Sequence, residues 1–259
     1  MTSNDLITIF TVVLSVLSVV LSGIFGVRTT RLAHKLEEDR ARRVEEESAI
    51  KAAERVYEPL AQSAAELQSR IFNIVETGWV PLMKRYESHG DYALTSTAFL
   101  FAHYFGWIEA RRQAVLSSSG EGRRDESVQE LIDGVLKILR RSEDSEGFLF
   151  FTTEQRAIGE LMCSWDTHPE TGTRTASVMG YAAFEKRYHG DAEFTKWFVP
   201  INAGMSLVST GDVRRLVAIQ QALVALIDKL DPKRRYTAGF ELQPIELDYA
   251  VTADDPKPA

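Results

Sequence analysis

Residues Leu6–Val27 read LITIFTVVLSVLSVVLSGIFGV, 22 positions without a charged side chain. An α-helix rises about 1.5 Å per residue, so the run covers about 33 Å, enough for a hydrocarbon core about 30 Å thick. Only a helix satisfies its own backbone groups in such a core. That requirement overrides the weak helix propensity of the many Val, Ile and Thr residues. A signal peptide would carry a basic start, a shorter apolar core and a small-residue cleavage site. Here the start is MTSND and the apolar core is long. A transmembrane helix over 6–27 is expected, after a short extracytoplasmic N-terminus at 1–5.

Basic residues orient it. None precedes the stretch, while Arg28, Arg31 and Lys35 follow at once, with Arg40, Arg42 and Arg43 close behind. The positive flank stays cytoplasmic, which predicts a single-pass protein with its N-terminus out and most of its chain inside. Ser15, Ser18, Ser22 and Gly26, with Thr11 extending the row, put small residues along one face of the helix. Small residues at such spacing let two helices approach closely in lipid, so self-association through this face is one reading. The other is the ordinary abundance of Ser and Gly in membrane helices.

Residues 28–56 hold 15 charged positions out of 29. Glu38–Arg42, Asp39–Arg43 and Glu47–Lys51 place acid before base at i,i+4, which supports an exposed helix. Leu32, Leu36, Val44, Ile50 and Val56 are too sparse for a firm coiled coil, so the solvated stalk over 28–58 and a weak coiled coil both stay open. Pro59 is expected to kink the chain where the stalk enters the domain, because it lacks a backbone donor. The apolar phase nevertheless continues across it through Val56, Leu60, Ala64, Leu67, Ile71 and Ile74.

Residues 59–236 read as a multi-helix cytosolic domain, so the fold class is all-α. Helices are expected over Leu60–Val75, Asp91–Leu116, Ser127–Arg141, Thr153 to about Ser164, Ala176–Tyr188, Ala192–Val208 (broken at Pro200) and Asp212–Leu230. One short turn at Leu82–Tyr86 is a further reading. The central helix is apolar almost all round at AFLFAHYFGWI. Gly147–Phe151 reads as a strand or a buried extended entry, and Thr152 with Gln155 fits a capping box. Residues 166–175 read as a loop, and 237–259 as a disordered polar tail. Lys84-Arg85-Tyr86 with His89-Gly90-Asp91 is echoed by Lys186-Arg187-Tyr188 with His189-Gly190-Asp191. Each reads as a basic helix end, a glycine turn and an Asp cap, with a paired His–Asp site as the sharper alternative.

The formal net charge of −7 excludes a general nucleic-acid binder, and a lone Cys163 excludes a disulfide framework. Cys163, Asp166 and His168 fit no standard zinc spacing, so no metal and no cofactor is expected. No nucleophile elbow, Walker loop or dinucleotide fingerprint is present. Glu154, Gln155, Arg156 and Glu160, at a helix start, are the best candidates for an anionic-ligand site. An ordinary capped helix with an ion pair is the plain alternative. His103, in the apolar central helix, is either a hydrogen-bonded core residue or a further member of that site.

YEPLAQSAAELQSRIFNIV, FAHYFGWIEARR, TTEQRAIGELM and RLVAIQQALVALIDKLDP together resemble an uncharacterised group of bacterial proteins with one N-terminal span and a helical cytosolic domain. The resemblance covers roughly residues 57–235. It implies a bacterial inner-membrane setting and carries over no functional residues.

Three function classes follow. The first is a membrane-anchored interaction or sensory module whose partners are the lipid bilayer and an unidentified protein or small ligand. The second is a hydrolase or transferase with a polar site around Arg156. The third is a self-associating structural or pore-forming protein, paired as a homodimer through the transmembrane helix.

Overall fold

The computed structural model describes residues 35–44, 55–84, 90–117, 126–142, 147–167 and 174–246. The expected span at 6–27, its Ser15/Ser18/Ser22/Gly26 face and His168 lie outside these residues. Among the described residues, no helix is long and apolar enough to cross a membrane.

The described chain is mostly helical. Of the stalk, residues 35–44 are helical, with Leu36 and Val44 exposed. Helix α1 covers 55–76 and passes through Pro59 without a break. The kink expected at Pro59 therefore does not end the helix. Val56, Leu60, Ala61, Ala64, Leu67, Ile71 and Ile74 are all buried. A full-length buried stripe, with each large apolar side chain contributing about 1.5–3 kcal/mol, outweighs one missing backbone bond. Gly78, at φ +64°, then turns the chain into α2, Trp79–Lys84.

Helix α3, Gly90–Ser117, is the axis of the fold. It contacts α2, α5 (Thr152–Met162), α6 (Tyr181–Gly190), α8 (Val199–Val208) and a β-hairpin. Having neighbours on most sides explains its all-round apolar sequence. Helix α4, Glu126–Arg140, is amphipathic by contrast, burying Val128, Ile132, Val135 and Leu139. It packs on α9, Arg214–Leu230. Before α5 the chain turns at Gly147–Phe148, with Phe148 at φ +54°, and Phe150 N donates to Leu139 O (2.8 Å) and Phe148 N to Pro200 O (3.0 Å). Phe148 and Phe150 are thereby laid against Phe101 of α3.

The described chain is consistent with the all-α expectation, and the loop expected at 166–175 needs one correction. Strands β1, Cys163–Thr167, and β2, Arg174–Val178, pair antiparallel with Trp165 opposite Ala176. A helix end, a loop and a helix start were expected there. The hairpin forms because Trp165 and Ala176 cover the small cluster of Val56, Ala110 and Ala114. Ser164 and Ser177 also bond across the strands at 2.7 Å. Gly106 admits β2 to the surface of α3, since a Cβ there would lie 2.6 Å from Val178 Cγ1.

The segment expected as one broken helix is α7 (Ala192–Thr195), a 3₁₀ turn (Lys196–Phe198) and α8, with Pro200 in the first turn of α8, where no donor is needed. The helix expected from Asp212 begins as α9 at Arg214: Val213 occupies the cap, and Asp212 accepts from Arg214 Nε at 3.2 Å.

The tail expected as disordered over 237–259 needs correction at 237–246, and 247–259 lie outside the described residues. Thr237 and Ile245 are buried, and Phe240 and Leu242 pack against the core. Side-chain amides of α1 and α9 hold this strap by its backbone. Gln68 donates to Glu241 O (2.8 Å), Gln220 to Gln243 O (2.8 Å) and Gln221 to Ile245 O (2.7 Å). Ile245 N returns a bond to Gln220 Oε1 at 3.0 Å.

Candidate functional site

The five ligand-site candidates have different partners. Glu154 accepts from Phe151 N at 2.7 Å and so caps α5. The capping acid is thus Glu154, one position before the Gln155 of the expected box. Gln155 is buried and donates to Phe150 O (2.8 Å) and Leu136 O (3.1 Å), tying α5 to the end of α4. Arg156 and Glu160 form an i,i+4 pair at 3.1 Å, each side chain more than half exposed.

Behind that pair lies Glu109 of α3, 3% exposed. It accepts from Arg112 Nε (2.7 Å) and Nη2 (2.5 Å) and from Gln113 (2.7 Å). Burial pushes the Glu109 carboxyl up, but these bonds and the charges of Arg112 and Arg156 leave it below the usual range. Gly159 brings the helices together: a Cβ there would lie 2.8 Å from Phe105 O. Each ion pair lies within one helix, Glu109–Arg112 on α3 and Arg156–Glu160 on α5, and across the helices Arg156 acts on Glu109 and Glu160 on Arg112 electrostatically, a weak inter-helix brace.

Cys163, next to this brace, has its thiol pushed up to about 11 by burial and then by Glu109. That keeps it protonated and poorly nucleophilic at neutral pH. Among the described residues, no group of three or more His, Cys, Asp or Glu side chains could hold a metal ion.

His103 faces the other way, toward α1. Its Nδ1 lies 3.7 Å from Glu66 Oε2, its ring stacks on Phe99 at 5.1 Å, and its Nε2 accepts from Trp107 Nε1 at 3.2 Å. Burial pushes its pKa down to about 4. It is a neutral, hydrogen-bonded residue of the α1–α3 seam, and none of its contacts is shared with Arg156.

That seam leads to a second polar cluster. One turn along α1 from Glu66, Arg70 donates from Nη1 to Ser96 Oγ (2.7 Å) and Thr97 Oγ1 (3.2 Å). Its guanidinium carbon sits 4.0 Å from the ring centre of Trp79. The Tyr92 phenol also bonds to it, and Tyr181 of α6 acts on it electrostatically. Tyr92 and Tyr181 meet edge to face at 6.5 Å, and Phe99 packs on Tyr181 at 5.3 Å. Burial lowers the Arg70 pKa, against the opposing influence of the two phenols.

The two echoed motifs meet beside this cluster. His189 Nε2 lies 3.7 Å from Asp91 Oδ2. Asp191 caps α7 through Phe194 N (3.2 Å) and pairs with Arg187 (3.3 Å), as expected of the second copy, but Gly190 is the last residue of α6 and makes no left-handed glycine turn. Residues 85–89 of the first copy lie outside the described residues.

The sequence reading passed over Arg70 because its partners come from positions 79, 92, 96, 97 and 181, on three other elements. The one local signal is an arginine on the polar flank of an amphipathic helix shortly before a tryptophan. No family model matches the chain, and neither a curated protein nor a solved structure matches it.

Proposed function

We propose that this protein is a membrane-anchored interaction or sensory module: a single N-terminal span, cytoplasmic bulk, and a helical domain that engages a protein partner or small ligand beneath the bilayer. The observation that carries the reading is the uncharged Leu6–Val27 stretch followed at once by Arg28, Arg31 and Lys35. The helical domain supports it, because its buried polar groups serve construction. Arg215 caps the end of α4, Gln220 holds the strap, and Asp231 closes the turn after α9. A bacterial inner membrane is the setting the proposal takes.

The test is fractionation of cells expressing the full chain. The protein is expected in the membrane pellet after alkaline carbonate washing, and a chain lacking residues 1–27 in the soluble fraction. A Ser3→Cys probe in a Cys163→Ser background is expected to react with an impermeant thiol reagent from outside the cell. Extraction of the full chain by carbonate, or labelling of Ser3→Cys only after lysis, overturns the anchoring or its orientation.

A further inference from the structure

Several arginines of this domain pair with carboxylates, while among the described residues Arg111 and Arg174 meet aromatic rings without one. Arg112, Arg156, Arg187, Arg214 and Arg234 each pair with a carboxylate. Arg215 instead meets the last carbonyls of α4, where the helix dipole is negative. Arg70 has neither. Its contacts are three hydroxyls and an indole face, and no carboxylate of the described residues lies within ion-pair distance.

A guanidinium has five N–H donors. Ser96 and Thr97 occupy Nη1 and the Tyr92 phenol takes a further bond, so donors remain. None of the Arg70 nitrogens is among the buried, unbonded polar atoms of the described residues. Ser96 Oγ is itself committed, donating to Tyr92 O at 2.5 Å, so it meets Arg70 as an acceptor. Stacking on Trp79 fixes the plane of the fork, which reduces the ordering cost of binding. Tyr92, 43% exposed, marks the open side.

We propose that Arg70 is an oxyanion-binding residue. With the Tyr92 phenol beside it and Trp79 behind it, it takes a phosphate group, either free or on an anionic lipid headgroup. A planar guanidinium with donors to spare can meet two phosphate oxygens at once. The site deepens the ligand-binding side of the proposed module and rests on that reading only for its setting. Fractionation reports the anchor and titration reports the site, so either can fail alone.

The test uses the full chain in a neutral detergent, titrated with inorganic phosphate while thermal unfolding and the phosphorus NMR linewidth are followed. A parallel arm uses vesicles of zwitterionic lipid with and without an anionic phospholipid. Binding to phosphate is expected to be at least tenfold weaker in Arg70→Gln, and weaker in Arg70→Lys, which keeps the charge and loses the fork. Loss of phosphate binding assigns a free ligand. Loss confined to anionic vesicles, with Arg28, Arg31 and Lys35 intact, assigns a headgroup. Absence of binding in both arms, or equal binding by wild type and Arg70→Lys, overturns the proposal. If Arg70→Gln does not fold, Arg70→Lys decides alone.

Discussion

Trp107 donates its indole N–H to Nε2 of His103, one helical turn earlier on α3, at 3.2 Å. Nε2 is therefore the unprotonated nitrogen, and the imidazole proton sits on Nδ1, facing Glu66. Protonating His103 would set two donors against each other in a site with little water.

The first prediction follows from that pair. Burial holds His103 down at about 4, against an ordinary value of 6.5. Between these values the unfolded chain takes up a proton that the folded chain refuses, so stability falls as pH drops through this window. The full effect is about 3 kcal/mol at most, at 1.36 kcal/mol per pKa unit. Glu66, raised by burial, works against it. Urea unfolding from pH 7 to pH 4 is expected to show a decline that His103→Leu removes. Imidazole nitrogen shifts should report the Nδ1–H tautomer at neutral pH.

Gln220 is fully buried and joins Gln68, Gln243 O and Ile245 N. Gln220→Leu leaves these partners unpaired, at about 1–3 kcal/mol. Hydrogen exchange at Ile245 is expected to rise far more than exchange in α3. Equal protection in the variant would show that the strap is held by its apolar side chains instead.

Two glycines in helices give opposite outcomes. Gly134 of α4 has nothing within 4 Å of an added Cβ, whereas Gly159 of α5 meets Phe105 O at 2.8 Å. Gly134→Ala is expected to stabilise by about 0.5–1 kcal/mol through helix propensity. Gly159→Ala gains the same propensity but forces α5 off α3, for a net loss of about 1–2 kcal/mol. Thermal unfolding of the two variants side by side reads the difference in sign.

Arg215 donates to the carbonyls of Ile138 (2.9 Å), Leu139 (3.4 Å) and Arg141 (2.5 Å). One fork thus closes the end of α4 from α9. A lysine cannot reproduce that geometry, so Arg215→Lys should lose most of the stability lost by Arg215→Met, about 2–3 kcal/mol. A lysine variant as stable as wild type would show that charge alone suffices.

Asp231 closes the turn after α9, accepting from the backbone N–H groups of Arg235, Tyr236 and Thr237 and from the Thr237 hydroxyl. Burial pushes its carboxyl up, and these bonds outweigh it, leaving the pKa below the ordinary 3.8. Its stabilisation is present above that value and is lost as pH falls through the lower folded one. Asp231→Asn is expected to destabilise at pH 7 and to flatten the acid limb of stability below about pH 4.

The long helices were legible in the sequence because burial of a helix face prints a 3–4 residue rhythm. Val128, Ile132, Val135 and Leu139 carry it in α4, and Leu216, Ile219, Leu223, Leu226 and Ile227 carry it in α9. The strap was illegible for the converse reason. It is held through its carbonyls by Gln68, Gln220 and Gln221, and backbone atoms leave no mark on residue type. The hairpin was hidden as well, since Trp165 and Ala176 have their reason for pairing in Val56, Ala110 and Ala114.

The same division runs through the candidate sites. Glu154, Gln155, Arg156 and Glu160 stood out as a local polar group, and the fold spends them on a cap, a buried tie and a brace. The sequence by itself determined the apolar rhythm of the helices, because covering one face with neighbours is a periodic, local demand. Only the tertiary structure decided that Arg70 meets Trp79, Ser96 and Thr97, because hydrogen bonds and stacking act over a few ångströms between residues far apart in the chain.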